Sequence, residues 1–391
     1  MKKLILSILF VMLYADPAFA TIYQVGNEQE LKNVLPKLAA GDEVVIADGN
    51  YGNWSVEIAA VGTAQKPVVI RGASTGGVIF SGEVNKPLFV LTGKYTVLSG
   101  ITFKECVLGK ADGKSGVLAE LKNSSYCRIT QCVFTHNVAK VQFMPLIIVS
   151  GNGTSNKIDH CTVTANTDSQ DFQVKITGDS NPQFTLIESN VFKDKAKVSW
   201  SNNNGGECIQ VGQDPVLLGT RESNTTVKNN RFTHCDGEPE VISNKSSRNS
   251  YIDNYFGDND GELVMRGGHD CIISGNTFEG GSGGIRVNGS GHTITNNKIT
   301  GVKTAIRLMY GMTKGKIETG FYVAPGNCTI TGNQITHATI GILVGDQKDA
   351  DWTGKFDTKR YPSPVIQSVA PYDNKIENNQ FKEVKTNTVT Q

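Results

Sequence analysis

Between residues 200 and 290 the sequence gathers polar side chains at spacings that could hold a cation. Glu238 and Glu240 stand at i and i+2, so a β-strand would project both from one face. Two carboxylates that close repel each other unless a cation or a proton intervenes, and hard oxygens suit calcium. Lys245 follows Glu238 by seven residues, and Arg266 follows Lys245 by 21. If 21 residues make one turn of a repeating structure, the lysine and the arginine meet beside the acidic pair. Residue types alone leave two readings open: a calcium-type oxygen site flanked by cations, or an ordinary surface ion network.

The repeat that would bring them together is visible. A polar pair, often containing Asn, precedes a Phe or Ile two positions on. It occurs as Asn229-Asn230-Arg231-Phe232, Asp253-Asn254-Tyr255-Phe256, Gly275-Asn276-Thr277-Phe278 and Asn296-Asn297-Lys298-Ile299. The apolar anchors of these four lie 24, 22 and 21 residues apart. Related units recur from Ser99-Gly100-Ile101-Thr102-Phe103 to Asn378-Asn379-Gln380-Phe381. A period of this length with occasional longer gaps is a solenoid signature. The units are β-branched, Gly-bounded and without helical periodicity, so they read as strands. One coil of a parallel β-helix fits, with Asn stacked at a turn, Phe and Ile stacked inside, and the longer gaps as loops on one face. Such a tube needs its ends covered. Asn27 and Glu30 form a capping-box pattern, and Leu31, Val34, Leu35 and Leu38 follow at helical spacing. The spacing predicts a helix over roughly 28–39 that caps the amino-terminal end.

Composition bounds the function. With 38 Lys+Arg against 37 Asp+Glu there is no global basic field, which argues against a nucleic-acid partner. A polyanion can still bind a local cluster. Lys2 and Lys3, the apolar run Leu4 to Tyr14, and Ala18-Phe19-Ala20 read as an export leader cleaved after Ala20. That predicts residues 21–391 as one β-helix domain, neutral overall, in the periplasm or outside the cell, with no membrane span and acting as a monomer. The eight cysteines show no zinc-type spacing and read as buried small apolar residues, Cys127 and Cys132 being the one close pair.

Several segments together resemble polysaccharide lyase family 6, which contains alginate lyases and chondroitinase B. They are Gly41-Asp42 to Asp48-Gly49-Asn50-Tyr51, Lys66-Pro67-Val68-Val69-Ile70-Arg71 and Asn204-Gly205-Gly206-Glu207. The run Cys235-Asp236-Gly237-Glu238 to Asn244-Lys245-Ser246 and the segment Leu263 to Arg266 complete the set. The resemblance implies an all-β, right-handed single-stranded parallel β-helix, a Ca2+ site and β-elimination. Residue by residue, it implies Glu238, Glu240 and an asparagine as calcium ligands, Asn204 with Asn202 and Asn203 as the alternative registers, Lys245 as general base and Arg266 as the catalytic arginine. Arg286 resembles an arginine near the substrate. Two positions depart from the family pattern. Gln210 stands where an arginine is expected, and Gly267-Gly268-His269 stands where His then Gly is expected after Arg266. Gln210 and His269 are therefore candidates for altered substrate contacts, and His269 is an alternative base.

The resemblance implies eliminative cleavage of an anionic uronate polysaccharide. Alginate is the expected substrate, with dermatan sulfate as the runner-up. A pectin-type hydrolase would need paired aspartates. Asp258 and Asp260 are available, but neither Gly-His-Gly nor Arg-x-Lys occurs in the chain. A non-catalytic binding solenoid would have no need of converging Lys, Arg and carboxylates.

Overall fold

A computed structural model describes residues 20–214, 219, 221–316 and 320–391, so the expected leader lies, but for Ala20, outside the described residues. Each coil gives one short strand to each of three parallel sheets, which hold 13, 13 and 12 strands among the described residues. The first sheet runs from Ile22–Val25 to Lys375–Glu377 and the second from Gly49–Tyr51 to Gln380–Lys382. The third runs from Val56–Ile58 to Thr386–Thr390. This is the parallel β-helix that the repeat predicts, and one continuous apolar core fills it from Val25 to Ile342.

The polar pairs explain the corner between the first and second sheets. The first member takes a left-handed backbone, as at Asn229, Asp253 and Asn296 (φ 54, 54 and 56°), where Asn and Asp are the tolerated non-glycine residues. The second member is an Asn, buried in every coil but the last, whose Oδ1 accepts the backbone N–H of its counterpart one coil earlier. Asn190, Asn230, Asn254, Asn276, Asn297, Asn333 and Asn379 form one unbroken ladder. Two residues on, Phe192, Phe232, Phe256 and Phe278 stack with centroids 4.8, 4.9 and 4.5 Å apart. In earlier coils Cys132 and Cys161 occupy the ladder position, and all eight cysteines are buried free thiols. The Cys127–Cys132 spacing does not make a bridge.

Asn254→Ala would strip the acceptor from the buried Asn230 N–H and side-chain amide and remove a bond to the Val227 carbonyl. Each unsatisfied buried group costs about 1–3 kcal/mol, so a loss of about 3 kcal/mol in denaturant unfolding is expected. Asn254→Ser should lose less.

The amino-terminal helix, α1, is shorter than its spacing predicts. It spans Glu28–Val34 and continues as a 3-10 turn, Leu35–Lys37, around Pro36. Asn27 Oδ1 accepts the Glu30 N–H at 2.9 Å, and Glu30 answers by accepting the Gly26 N–H. Leu31 is fully buried in the core.

Seven successive strands of the third sheet position the site: β1 (Gln170–Val174), β2 (Ile209–Val211), β3 (Glu240–Asn244), β4 (Glu262–Met265), β5 (Gly283–Val287), β6 (Thr304–Met309) and β7 (Ile340–Asp346). Their register aligns Gln173, Gln210, Ser243, Val264, Arg286 and Arg307 in one row across the sheet. Residues 202–204, 321–322 and 347–367, from excursions between the strands, wall that row in.

Candidate active site

The sheet register explains why Lys245 and Arg266 meet. Asn244 pairs with Met265 across β3 and β4, so the residues that follow each of them occupy neighbouring rungs. The Arg266 N–H donates to the Asn244 carbonyl at 2.9 Å, and the Lys245 N–H donates to the Val211 carbonyl at 2.7 Å. Asn244 fixes the turn that carries Lys245. Its Nδ2 donates to the carbonyls of Ser246 and Gly267, at 2.9 and 3.0 Å, and its Oδ1 accepts from Asn249 and Tyr251. Gly268 has φ 82°, and a Cβ there would strike the Ser246 carbonyl. The tightness of this turn accounts for a glycine at that point.

A β-bulge between Glu240 and Ile242 sets the carboxylates. The extra residue lets Val241 and Ile242 both enter the core, while Glu240 is left on the outer side with Ser243. Simple alternation would have placed Glu240 with the inward Ile242. The result is a group of three buried glutamates, Glu207, Glu238 and Glu240, each offering an oxygen within 4.8 Å of the others. Glu238 accepts the N–H groups of Gly205 and Gly206. Glu207 accepts from Gln170 at 2.9 Å and from Gln210 at 2.6 Å, and its Oε1 lies 3.9 Å from Lys245 Nζ. Arg286 is bound to Glu240 Oε1, whereas Glu240 Oε2 is buried without a hydrogen-bond partner.

The electrostatics follow from burial and crowding. Lys245 is only 7% exposed, not on the outside as its place on a solenoid face suggests, because the excursions cover it. Burial, and then the Arg266 charge, push its ammonium below the ordinary lysine range, with Glu207, Glu240 and Glu238 opposing. Burial and the neighbouring Glu207 and Glu240 raise the Glu238 carboxyl to about 9. Burial also works against ionisation of Glu240, but Arg286, Arg266 and Lys245 overcome it and hold that carboxyl at about 2. Arg266 stays charged. Its burial is outweighed by Tyr322, Glu240, Glu238 and Glu207, and its guanidinium lies 5.0 Å from the Phe321 ring centroid and 5.3 Å from that of Tyr322.

An orphaned buried oxygen and three crowded carboxylates are what a hard cation would satisfy, so the donor set fits calcium. A stability consequence follows. Glu238 keeps, between about pH 4.5 and about 9, a proton that the unfolded chain has lost. The folded state then binds more protons, so this group makes stability fall as pH rises through that window. Without calcium, Glu238→Gln should raise the unfolding free energy at pH 8 by on the order of 1–3 kcal/mol. The same variant should lose the thermal shift that calcium gives the wild type. Equal calcium shifts in both proteins would remove Glu238 from the cation site.

These groups line a cleft of two lobes, about 460 and 430 Å³, that share Asn204 and Arg266. One lobe contains Glu238, Glu240, Arg286 and Lys355; the other contains Lys245, Gln210, Phe143 and Arg360. The structure thus brings Lys245, Arg266, Glu238, Glu240, Asn204, Arg286 and Gln210 together. Asn202 Oδ1 is engaged by Gln142 at 2.7 Å, whereas Asn204 lines both lobes. His269 is not brought in. It sits beyond the Gly267-Gly268 turn, 7% exposed, with Nδ1 2.9 Å from Asp270 Oδ2. Glu207 escaped sequence reasoning although it ends the Asn-Gly-Gly-Glu run, and so did the aromatic wall of Phe321, Tyr322, Trp352 and Phe356.

Comparison with known proteins identifies the family. No curated protein matches the chain by sequence. The chain is similar in structure to the family 6 alginate lyase AlyGC, with TM-score 0.75, 24% identity, and coverage of 95% of this chain and 53% of that one. A variant of that enzyme gives TM-score 0.73 at 25% identity, with coverage of 90% and 47%. The chain therefore spans about half the length of these two solved proteins. A mannuronic-acid-specific family 6 lyase from human gut microbiota gives TM-score 0.74 at 24% identity, covering 94% of this chain and 82% of that one. The family model for chondroitinase B matches residues 25–390, and with that match the chain belongs to polysaccharide lyase family 6.

Proposed function

We propose that the protein cleaves alginate by β-elimination, leaving 4,5-unsaturated uronate ends. One observation carries the reading: a buried lysine on the rung next to Arg266, its Nζ 3.9 Å from Glu207 Oε1, in a cleft that also holds the three crowded glutamates. Lys245 Nζ takes the C5 proton of a uronate. The electron pair released forms the C4–C5 double bond as the C4–oxygen bond breaks, and the departing oxygen takes up a proton. Arg266 remains charged throughout and stabilises the negative charge that proton removal creates. Glu238, Glu240 and Asn204, with Glu207 beside them, would hold calcium, which when bound neutralises the uronate carboxylate. Arg286, bound to Glu240 Oε1, orients the Glu240 carboxylate rather than meeting the substrate freely.

Cations in both lobes support an anionic polymer as partner: Arg266, Arg286, Lys355 and Arg360. The relatives named as alginate lyases favour alginate, and the chondroitinase B family model keeps dermatan sulfate as the second reading. Export is part of the same proposal, resting on the leader-like residues 1–20. No helix of the described residues is long and apolar enough to cross a membrane. A panel of polymannuronate, polyguluronate and dermatan sulfate tests the substrate. Unsaturated product from either alginate block is the expected result, and product from dermatan sulfate alone would overturn it.

A further inference from the structure

The corner that leads from the third sheet into the first lies outside the cleft. Its coils match residue for residue, and one position is left-handed in each coil from Tyr95 to Asp373. The carboxy-terminal coils fill that position with residues that tolerate the conformation: Asn224, Asp270, Gly291, Asn327 and Asp373. Arg248, the exception among them, is held by an ion pair with Glu222 at 2.9 Å. The amino-terminal coils instead place Tyr95, Tyr126 and Phe184 there, at φ 50, 56 and 53°. A bulky ring strains this backbone, and burial does not compensate, since Tyr126 is 45% and Phe184 58% exposed. Side chains that break a local rule without a packing gain point to function.

Together these residues form a stripe along the tube. Tyr95 and Tyr126 stack with centroids 4.7 Å apart and planes 11° apart. Ser155 takes the next coil and Phe184 the one after it. The exposed Lys94 holds its ammonium 5.6 and 5.8 Å from the centroids of the two tyrosines. Rungs are about 4.8 Å apart, so the Tyr126 and Phe184 positions are separated by about 10 Å along the tube, close to the length of two sugar units in an extended chain. The corner then continues through Asn224 to Arg248, which follows Lys245 by three residues. The stripe therefore leads toward the catalytic turn from its amino-terminal side.

We infer that this stripe is a second, non-catalytic binding surface for an acidic polysaccharide, on which Tyr126 and Phe184 stack against pyranose faces and Lys94 pairs with a uronate carboxylate. Pyranose faces present C–H groups, which complement the negative face of an aromatic ring. The ammonium over the tyrosine pair selects an anionic chain over a neutral one. A chain held here by one segment presents another to the cleft at raised effective concentration, a gain open only to a polymer long enough to reach both places.

The choice of a uronan as occupant rests on the proposed lyase reading, and the test separates the two. The double variant Tyr126→Asn/Phe184→Asn installs a residue type that this corner already uses, so its thermal transition should equal or exceed that of the wild type. On alginate polymer it should raise KM by about tenfold with kcat unchanged, the scale of lost aromatic contacts. On an alginate tetrasaccharide, whose cleaved bond must sit at Lys245 and which leaves too few units to reach the stripe, both constants should stay at their wild-type values. Lys245→Ala protein, which does not consume the polymer, should be retarded by alginate in affinity electrophoresis, and adding the two ring substitutions should weaken that retardation by about tenfold. Adding Lys94→Ala should weaken it for alginate and not for carboxyl-reduced alginate. Unchanged polymer KM and retardation would overturn the stripe, as would an equal loss on the tetrasaccharide, which would place the effect in the cleft. A dimeric wild type and a monomeric double variant with equal polymer binding would overturn it in favour of a contact between two copies. Polymer retention that depends on the rings, with no unsaturated product from any uronan, would instead overturn the lyase reading and leave the stripe standing.

Discussion

Lys245→Arg should fold normally and lose activity by about 10³-fold or more in kcat, in line with the loss of a general base. The substitution keeps the positive charge and the length of the side chain but removes the capacity to accept a proton, because a guanidinium stays protonated. Lys245 is tuned in the opposite direction, since burial and the adjacent Arg266 both disfavour its ammonium form. Activity of the wild type should therefore rise with pH through an apparent pKa below the ordinary lysine value, the direction set by a base that must lose its proton to work. Lys245→Ala should be as inactive as Lys245→Arg. Circular dichroism and the thermal transition should establish folding in both, since the Asn244 bonds that hold this turn do not use the lysine side chain.

The second large effect concerns Arg266, and its signature is non-additivity. Lys245 removes the proton and Arg266 stabilises the charge which that removal creates, so both serve one transition state. Arg266→Ala should lower kcat by about 10²–10³-fold, the scale of a lost charge stabiliser. The double variant Lys245→Ala/Arg266→Ala should be little worse than Lys245→Ala alone, because residues acting as a unit do not add. Purely additive losses would mean that the two side chains act on separate steps. Arg266→Lys should recover little, since the guanidinium lies over the rings of Phe321 and Tyr322 and a compact, strongly hydrated ammonium does not reproduce that contact.

What the sequence showed and what it hid have a common physical basis. Residues that repeat at the coil period were legible: the ladder asparagines, the stacked phenylalanines, and the spacing of 21 between Lys245 and Arg266 that becomes adjacency on neighbouring rungs. Residues placed by a break in the period were not. Glu240 faces outward only because the chain bulges after it, and Glu238 lies in the bend before the strand begins, so the two carboxylates meet without sharing one strand face as their i, i+2 spacing suggests. Glu207 joins the cluster from a different coil, and no local spacing announces that. The wall residues Phe321, Trp352, Phe356 and Arg360 lie in non-repeating excursions, whose path depends on the tertiary packing of Phe321 on Phe356 and of Tyr322 on Trp352. The same walls bury Lys245, which a bare solenoid face would leave exposed. His269 was separated from the site by a glycine turn whose tightness shows only in the backbone.

The central claim is that this site breaks a uronate chain by elimination, with Lys245 as the base. The measurement that addresses it most directly is ultraviolet absorbance of an alginate solution with calcium present, followed in parallel with the appearance of new reducing ends. Wild-type protein should raise both together, one conjugated double bond for each chain break, and folded Lys245→Ala should raise neither. New reducing ends without absorbance would mean hydrolysis, and undiminished absorbance growth with Lys245→Ala would place the base elsewhere; either result contradicts the account.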